Sequence, residues 1–316
     1  QGIIQSIEEG KKIAAEIGYP VIIKATAGGG GKGIRVAKDE KELEKGIQIT
    51  QQEAQTAFGN PGVYLERYIT DFRHVEIQVL ADEHGNTIHL GERDCTIQRR
   101  LQKLVEEAPS PVLDEETRQK MGQAAVRAAE AVNYWGAGTV EFIYEPQTNN
   151  FYFMEMNTRI QVEHPVTEYI SGIDLIKQQL LIAKGHPLKM TQADVSLKGW
   201  SIECRINAEN PDKNFMPSPG KINTYLPPGG PNVRVDSAVY HGYTIPPYYD
   251  SMIAKVIVHG KTREEAIAIM IRALEEFVVE GIYTTIPFHL NLLQNEIFVK
   301  GKYNTKFLEE HALVKG

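Results

Sequence analysis

The sequence predicts an α+β fold built largely on antiparallel sheet, and three observations point to it. Strand-like segments follow one another along residues 63–95, and in HVEIQVLAD (74–82) apolar and polar residues alternate with a period of two. GTVEFIYE and NFYFMEMN flank the turn PQTNN as the arms of a hairpin. Helical stretches, with apolar residues at three- and four-residue spacing, stand between the strands.

The elements follow in order. Residues 6–17 carry Ile7, Ile13, Ala14 and Ile17 at helical spacing, and Gly18 and Pro20 stop that helix. VIIKA (21–25) and IRVA (34–37) read as strands around the glycine loop AGGGGKG. A charged helix is expected over 39–56, capped by Asp39. VYLERYI (63–69), HVEIQVLAD (74–82) and TIHLGERDC (87–95) read as strands. In the second, Val75, Ile77 and Val79 alternate with His74, Glu76 and Gln78, which predicts one apolar and one polar face. Asp114 caps a helix running to Val132, with Glu115 and Glu116 in its first turn and Met121, Ala125, Ala128 and Val132 on one stripe. Another helix is expected near 172–184. Short strands with many turns follow from about 195, and the last helix is expected at 264–277.

Composition narrows the class. The 316 residues are 42% hydrophobic and 24% charged, ordinary globular values with apolar mass for two cores. A net charge of −7 argues against nucleic acid as the main partner. No run of 18 apolar residues occurs, and the opening QGIIQSIEEG lacks the basic flank and apolar stretch of a signal peptide. Cys95 and Cys204 are too few and too isolated for a disulfide framework or a zinc site. They are expected as buried free thiols, and a reducing cytoplasm fits. The chain lacks an initiator Met and reads as a fragment.

Four consecutive glycines between two strands offer unshielded backbone N–H groups to an anion. The P-loop pattern fails, because Thr26 and Gly33 stand where its first Gly and its Ser/Thr belong. Gly28-x-Gly30-x-x-Gly33 matches the dinucleotide spacing, but a strand follows it rather than a helix. A flap over phosphates is the functional reading and a plain turn the alternative. Lys24 before the loop would complement a polyphosphate.

Glu141 and Glu155 lie mid-strand among apolar neighbours. If Glu145 and Phe151 close the hairpin around a five-residue loop, the two face each other, with Asn157 on the same side. Paired carboxylates there repel unless a cation holds them, and all-oxygen donors suit Mg²⁺ or Mn²⁺. EMNTRIQVEHPVTE (155–168) is dense in polar groups. Arg159 offers a planar fork for a carboxylate-like anion such as bicarbonate, Gln161 a neutral donor, and Glu163 a base nearby. His164 precedes Pro165, which predicts extended backbone there. Arg205, near Glu203, is a second anion clamp or the ion-pair partner of an acid. The run RDCTIQRRLQKLVEE, with Arg93, Arg99, Arg100 and Lys103, is either functional or a solvated basic face.

Together, YPVIIKATAGGGGKGIRV, YLERYITDFRHVEIQVL, GERDCTIQRRLQKLVEEAPSP, GTVEFIY, FMEMNTRIQVEHPVTE, ECRINAEN, MPSPGKI and PPYYDSMIAKVI resemble biotin carboxylases. The resemblance runs over nearly the whole chain, and EMNTRIQVEHPVTE is its most specific part. It implies an ATP-grasp fold, with a glycine-rich lid (1–65) and an antiparallel core (66–190), followed by a biotin carboxylase C-terminal domain (191–316). Lys24, Gly30, Gly31, His74 and Gln98 would contact ATP, and Glu66, Arg67, Tyr68 and Ile69 would form the adenine hinge. Glu141, Glu155 and Asn157 would bind two Mg²⁺ or Mn²⁺ ions, the two glutamates beside the nucleotide. Lys103, Arg159, Gln161, Val162 and Arg205 would hold bicarbonate, with Arg205 also facing biotin. Catalysis would fall to Arg159, Glu163, Lys103 and Arg205, with Glu163 the base.

The implied activity is ATP- and bicarbonate-dependent carboxylation of carrier-bound biotin, the first half-reaction of acetyl-CoA carboxylase in fatty acid synthesis. Implied partners are a biotin carboxyl carrier protein, a carboxyltransferase and a second copy of the chain, with no nucleic acid and no membrane. The alternatives are the same portion of a pyruvate or propionyl-CoA carboxylase, another ATP-grasp ligase, or a nucleotide-binding module without turnover. There are departures from the family. Leu101 stands where it commonly has His, and Ala27 where Gly is frequent. No counterpart of the family's N-terminal domain and no Ala-Met-Lys-Met biotin-attachment motif occurs, so the carrier is expected elsewhere.

Overall fold

The computed structural model describes residues 2–27, 33–311 and 313, which form two compact units, Gln1–Thr70 and Asp71–Gly316. Gly30 and Gly31 lie outside the described residues.

The first unit holds helices α1 (Ile7–Ile17) and α2 (Glu40–Phe58) and strands β1 (Val21–Ala25), β2 (Ile34–Ala37) and β3 (Val63–Arg67). The strands form an antiparallel sheet in the order β2-β1-β3. Ser6 and Asp39 cap the two helices by accepting from Glu9 N and Glu42 N. Ile23 of β1 packs with Leu43 and Ile47 of α2. Gly46 makes that contact possible, since a Cβ there would lie 2.4 Å from Ile23 Cδ1.

The second unit is organised by an eight-stranded antiparallel sheet. Its strands are β4 (Arg73–Ala81), β5 (Thr87–Arg99), β6 (Gln102–Ala108), β7 (Gly136–Glu145), β8 (Asn150–Asn157), β9 (Trp200–Asn207), β10 (Val233–Ser237) and β11 (Met252–Gly260). They lie in the order β10-β11-β9-β6-β5-β4-β7-β8. Strands from both sides of residue 190 therefore share one sheet. Helix α3 (Glu115–Ala131), capped by Asp114, packs Met121, Ala125 and Ala129 against Val75, Ile77 and Val79. Each large apolar side chain among them is worth about 1.5–3 kcal/mol on burial.

Both faces of β4, the apolar and the polar one, are buried, and Glu76 and Gln78 are fully enclosed. Three sequence expectations need correction. The hairpin loop has four residues rather than five, because Glu145 pairs with Asn150. A bulge at Met154 then shifts the register by one, so Glu141 faces Glu155 after all. His164 is not extended: it opens helix α4 (His164–Ser171), with Pro165 in the first turn, where its missing N–H leaves no bond unmade. The expected helix at 172–184 is α5 (Leu175–Ala183). The helix expected last, α6 (Arg263–Glu276), is followed by α7 (Ile286–Leu293).

Buried ion pairs tie the end of the chain to this sheet. Glu107 accepts from Trp200 Nε1 (2.8 Å), Arg263 Nε (2.7 Å) and Tyr303 Oη. Arg73 donates to Asp94 Oδ2 (2.8 Å) and to the carbonyls of Gly301 and Tyr303, with its guanidinium 3.7 Å from the Tyr303 ring centroid. Glu107→Ala leaves Arg263 buried without its counter-charge and should cost about 3–5 kcal/mol. Denaturant midpoints of the variant and the unaltered chain measure that loss.

Candidate active site

An open cavity of about 600 Å³ lies on the polar side of the second unit's sheet. Its walls come from distant parts of the chain: His74 on β4, Lys103 on β6, Glu141 on β7, Glu155 and Asn157 on β8, Arg159, Gln161, Val162 and Glu163 from the next loop, and Arg205 on β9.

Lys103 is the centre. Its Nζ donates to Glu76 Oε2 (2.6 Å), Glu141 Oε1 (3.0 Å) and Glu163 Oε1 (2.6 Å). Glu76 is fully buried, and its other oxygen accepts from Arg93 Nε (2.5 Å). Burial alone would raise the Glu76 carboxyl, but Lys103 and then Arg93 outweigh it and hold it at about 2. Glu141 is likewise pushed up by burial, yet ends below the usual carboxylate range because of His74 and Lys103. The Lys103 ammonium is held above its usual range: burial opposes this, and Glu76 leads the groups that favour it.

Arg93 belongs to the basic run for which a solvated face was one expectation, and it is fully buried instead. Besides Glu76 it donates to Gln78 (2.6 Å), Thr167 (3.0 Å), Thr139 (3.1 Å) and Gln161 Oε1 (3.3 Å). Gln161 is thereby oriented, and its Nε2 donates to Glu141 Oε1 (3.0 Å). Arg99 and Arg100 sit at the β5–β6 turn, where Leu101 is 92% exposed.

Glu141 and Glu155 converge. Asn157 Nδ2 lies 3.1 Å from Glu141 Oε1 and 3.3 Å from Glu155 Oε1. The two carboxylates converge on the Asn157 amide nitrogen, and their oxygens are the donors that fit a hard divalent cation in its place. His74 Nε2 lies 3.1 Å from Glu141 Oε2, and Gln98 Nε2 is 2.7 Å from His74 Nδ1.

Arg159 is exposed and reaches only Ile160 O (3.3 Å) and Asn157 Oδ1 (3.4 Å). Among the described residues it has no carboxylate partner, so its planar fork is free for an incoming anion. Glu163 is 2% exposed, with Oε1 on Lys103 and Oε2 on Arg205 Nη2 (3.0 Å). Arg205 also donates through Nε to Glu106 Oε1 (2.6 Å), so the ion-pair alternative holds for it as well. The Val162 carbonyl accepts from Lys255 Nζ (2.5 Å). The cavity thus places an enclosed carboxylate next to a free guanidinium, with a cation-ready pair alongside.

The remaining expected residues lie in the first unit. Lys24 on β1 is ion-paired with Glu66 on β3. Tyr68 N donates to Pro20 O (3.0 Å), and Arg67 and Ile69 flank it.

Three residues that the sequence pattern did not assign to the site are built into it: Glu76, Arg93 and Glu106. The polar side of the β4 alternation was the available signal for Glu76. Nothing in sequence spacing marked Glu106.

Glu76 links the site to acid stability. Its carboxyl moves from the usual 4.5 down to about 2, so its contribution is complete above pH 4.5 and is lost as pH falls from 4.5 to 2. The loss is on the order of 3 kcal/mol. Glu76→Gln should flatten that part of the stability–pH curve, read by urea unfolding at stepped pH.

Comparison with known proteins places these residues in a family context. Residues 1–191 match the model described as carbamoyl-phosphate synthase L chain, ATP binding domain, and residues 203–310 match the biotin carboxylase C-terminal domain. Biotin carboxylase 1 of Bacillus subtilis is 73% identical over 314 residues, covering 99% of this chain and 70% of that protein. A pyruvate carboxylase subunit of Methanothermobacter thermautotrophicus is 56% identical over 304 residues, covering 96% of this chain and 62% of that protein. A solved biotin carboxylase domain dimer from Hydrogenobacter thermophilus 2-oxoglutarate carboxylase, in complex with MgADP, ADP and bicarbonate, matches with a TM-score of 0.85. It is 52% identical, with 98% of this chain and 68% of that one covered.

Proposed function

The chain belongs to the biotin carboxylase family, and from that premise we propose that it carboxylates carrier-bound biotin at the expense of ATP and bicarbonate. The observation that carries the reading is Glu163, enclosed between Lys103 and Arg205 in the cavity that also presents the free fork of Arg159.

Arg159, Lys103, Gln161, the Val162 segment and Arg205 hold bicarbonate. Glu163 takes its proton as the bicarbonate oxygen attacks the γ-phosphorus of ATP, giving carboxyphosphate and ADP. Carboxyphosphate then releases CO₂ and phosphate. The phosphate takes the N1′ proton of biotin, and N1′ takes the CO₂. Glu141, Glu155 and Asn157 would hold Mg²⁺ or Mn²⁺, which neutralises charge on the transferring phosphoryl group when bound. Lys24, His74, Gln98 and the Glu66–Ile69 segment serve ATP, together with Gly30 and Gly31. The carrier, a carboxyltransferase and a second copy of the chain complete the assembly.

The division into a lid (1–65), a core (66–190) and a C-terminal domain (191–316) belongs to this proposal. So does a cytoplasmic location, which the two buried free thiols support. No helix among the described residues is long and apolar enough to cross a membrane. Acetyl-CoA carboxylase in fatty acid synthesis is the preferred context. The pyruvate carboxylase relative favours pyruvate as the second reading for the final acceptor.

In the protein as its gene encodes it, ATP cleavage should require bicarbonate and rise with free biotin. Dependence on an amine instead overturns the assignment. Glu163→Gln should lower bicarbonate-dependent cleavage by about 10²–10⁴-fold while nucleotide affinity, read by calorimetry, stays close to normal. Equal loss of both would make Glu163 structural. Glu141→Gln should weaken Mn²⁺ binding about tenfold or more, followed by electron paramagnetic resonance of the free ion.

A further inference from the structure

Behind the cavity lies a second pair of acids that the reaction above does not use. Glu106 on β6 and Glu203 on β9 are directly opposite each other in the antiparallel register, and both are fully buried. Residues so paired point to the same face of the sheet with Cβ atoms about 5 Å apart. Ala108 and Ile257 share that face by alternation and pairing, and they pack against Val166 and Ile170 of α4, an apolar roof over the pair.

The surroundings do not supply the hydrogen bonds that two carboxylates need. Among the described residues, no N–H or O–H donates to either oxygen of Glu203 or to Glu106 Oε2. The charged groups facing the pair are Arg205, Lys103, Lys255 and Glu163. Arg205 alone is bonded to it, through Glu106 Oε1. The Lys255 ammonium is committed to Val162 O and lies 3.7 Å from Asp236. Lys103 is committed to Glu76, Glu141 and Glu163. Two negative charges cannot both persist in such a place, whereas one shared proton leaves a single charge and supplies the missing donor.

We propose that Glu106 and Glu203 are a positioning pair, sharing one proton, whose single negative charge holds the Arg205 guanidinium at the distance from which it reaches Glu163 and the anion site. Burial raises both carboxyls, Glu106 to about 7 and Glu203 well above the usual range, with mutual repulsion adding to it. Arg205 is held from its backbone too: its carbonyl accepts from Thr285 Oγ1 (3.0 Å) and lies 2.7 Å from His289 Nε2. The strand is therefore fixed, and only the guanidinium remains to be aimed. Loss of the shared proton at high pH adds a second negative charge behind Arg205 and draws the guanidinium away from the cavity.

The role of the pair in catalysis rests on the biotin carboxylase reading, but the shared proton does not. The first test is infrared spectroscopy of the whole protein near neutral pH, without substrates. The carbonyl stretch of a protonated carboxylic acid should be present and should vanish in Glu203→Gln. Its absence from the unaltered protein overturns the proposal, whatever the enzyme does. The second test is the pH dependence of KM for bicarbonate, compared between variants in the same buffers. The alkaline rise in KM should move upward by about one pH unit or more in Glu203→Gln. Glu106→Gln should raise KM about tenfold at every pH, since Arg205 keeps Glu163 but loses the charged bond that holds its guanidinium from behind. A Glu203→Gln profile that superimposes on the original overturns the positioning role. Failure to cleave ATP with bicarbonate in the unaltered protein defeats the functional reading and leaves the infrared result to decide the pair.

Discussion

One ammonium group keeps this site together. Lys103 Nζ stands among Glu76, Glu141 and Glu163, three carboxylates brought from two strands and a loop. Two like charges about 4 Å apart repel by roughly 4 kcal/mol at the effective dielectric of a protein. Without the cation, that cluster would have to take up protons or move apart. Arg93 and Arg205 extend the balance on either side, toward Glu76 and toward Glu106 and Glu163. Buried pairs of this kind contribute little net stability compared with an apolar replacement. Their effect is to fix where each oxygen points, and fixed oxygens are what a deprotonation and a metal both need.

Much of the architecture was legible in the chain because the relevant signals are local. Asp39 and Asp114 were recognisable as helix caps, and helices begin immediately after each. Strand periodicity located β1, β2, β4, β7 and β8 within a residue or two. The strand after the glycine loop, which ruled out a dinucleotide motif, is present as β2. The pairing of Glu141 with Glu155 was reached through a wrong loop length, because a bulge cannot be seen in alternating hydrophobicity. The extended backbone expected before Pro165 gave way to a helix start, where the same ring geometry is tolerated.

The less visible part was the outer ring of charge that steadies the site. Arg93, Glu76 and Glu106 look like ordinary polar positions on strands, and sequence alone suggests that such faces meet water. They meet other strands instead, since the eight-stranded sheet has the site on one face and α3 against part of the other. Burial from both sides is a tertiary fact, set by residues far away along the chain, and no window of a dozen residues contains it. Of the described residues named from resemblance, most line the cavity, while Lys24 and Glu66 pair in the first unit. The residues that aim them had to be read from packing.

The extra residue at Met154 has a consequence for how this hairpin tolerates change. Between the bulge and the loop, β8 is one step out of phase with its course beyond the bulge. The strand behaves as if it had a clutch: the loop end answers to its own geometry, while the site end keeps the phase that points Glu155 and Asn157 inward. Variation in the tip at 146–149 can be absorbed before it reaches the acidic pair. A single deletion on the site side of Met154 has no such buffer and would turn the side chains beyond it to the opposite face of the sheet.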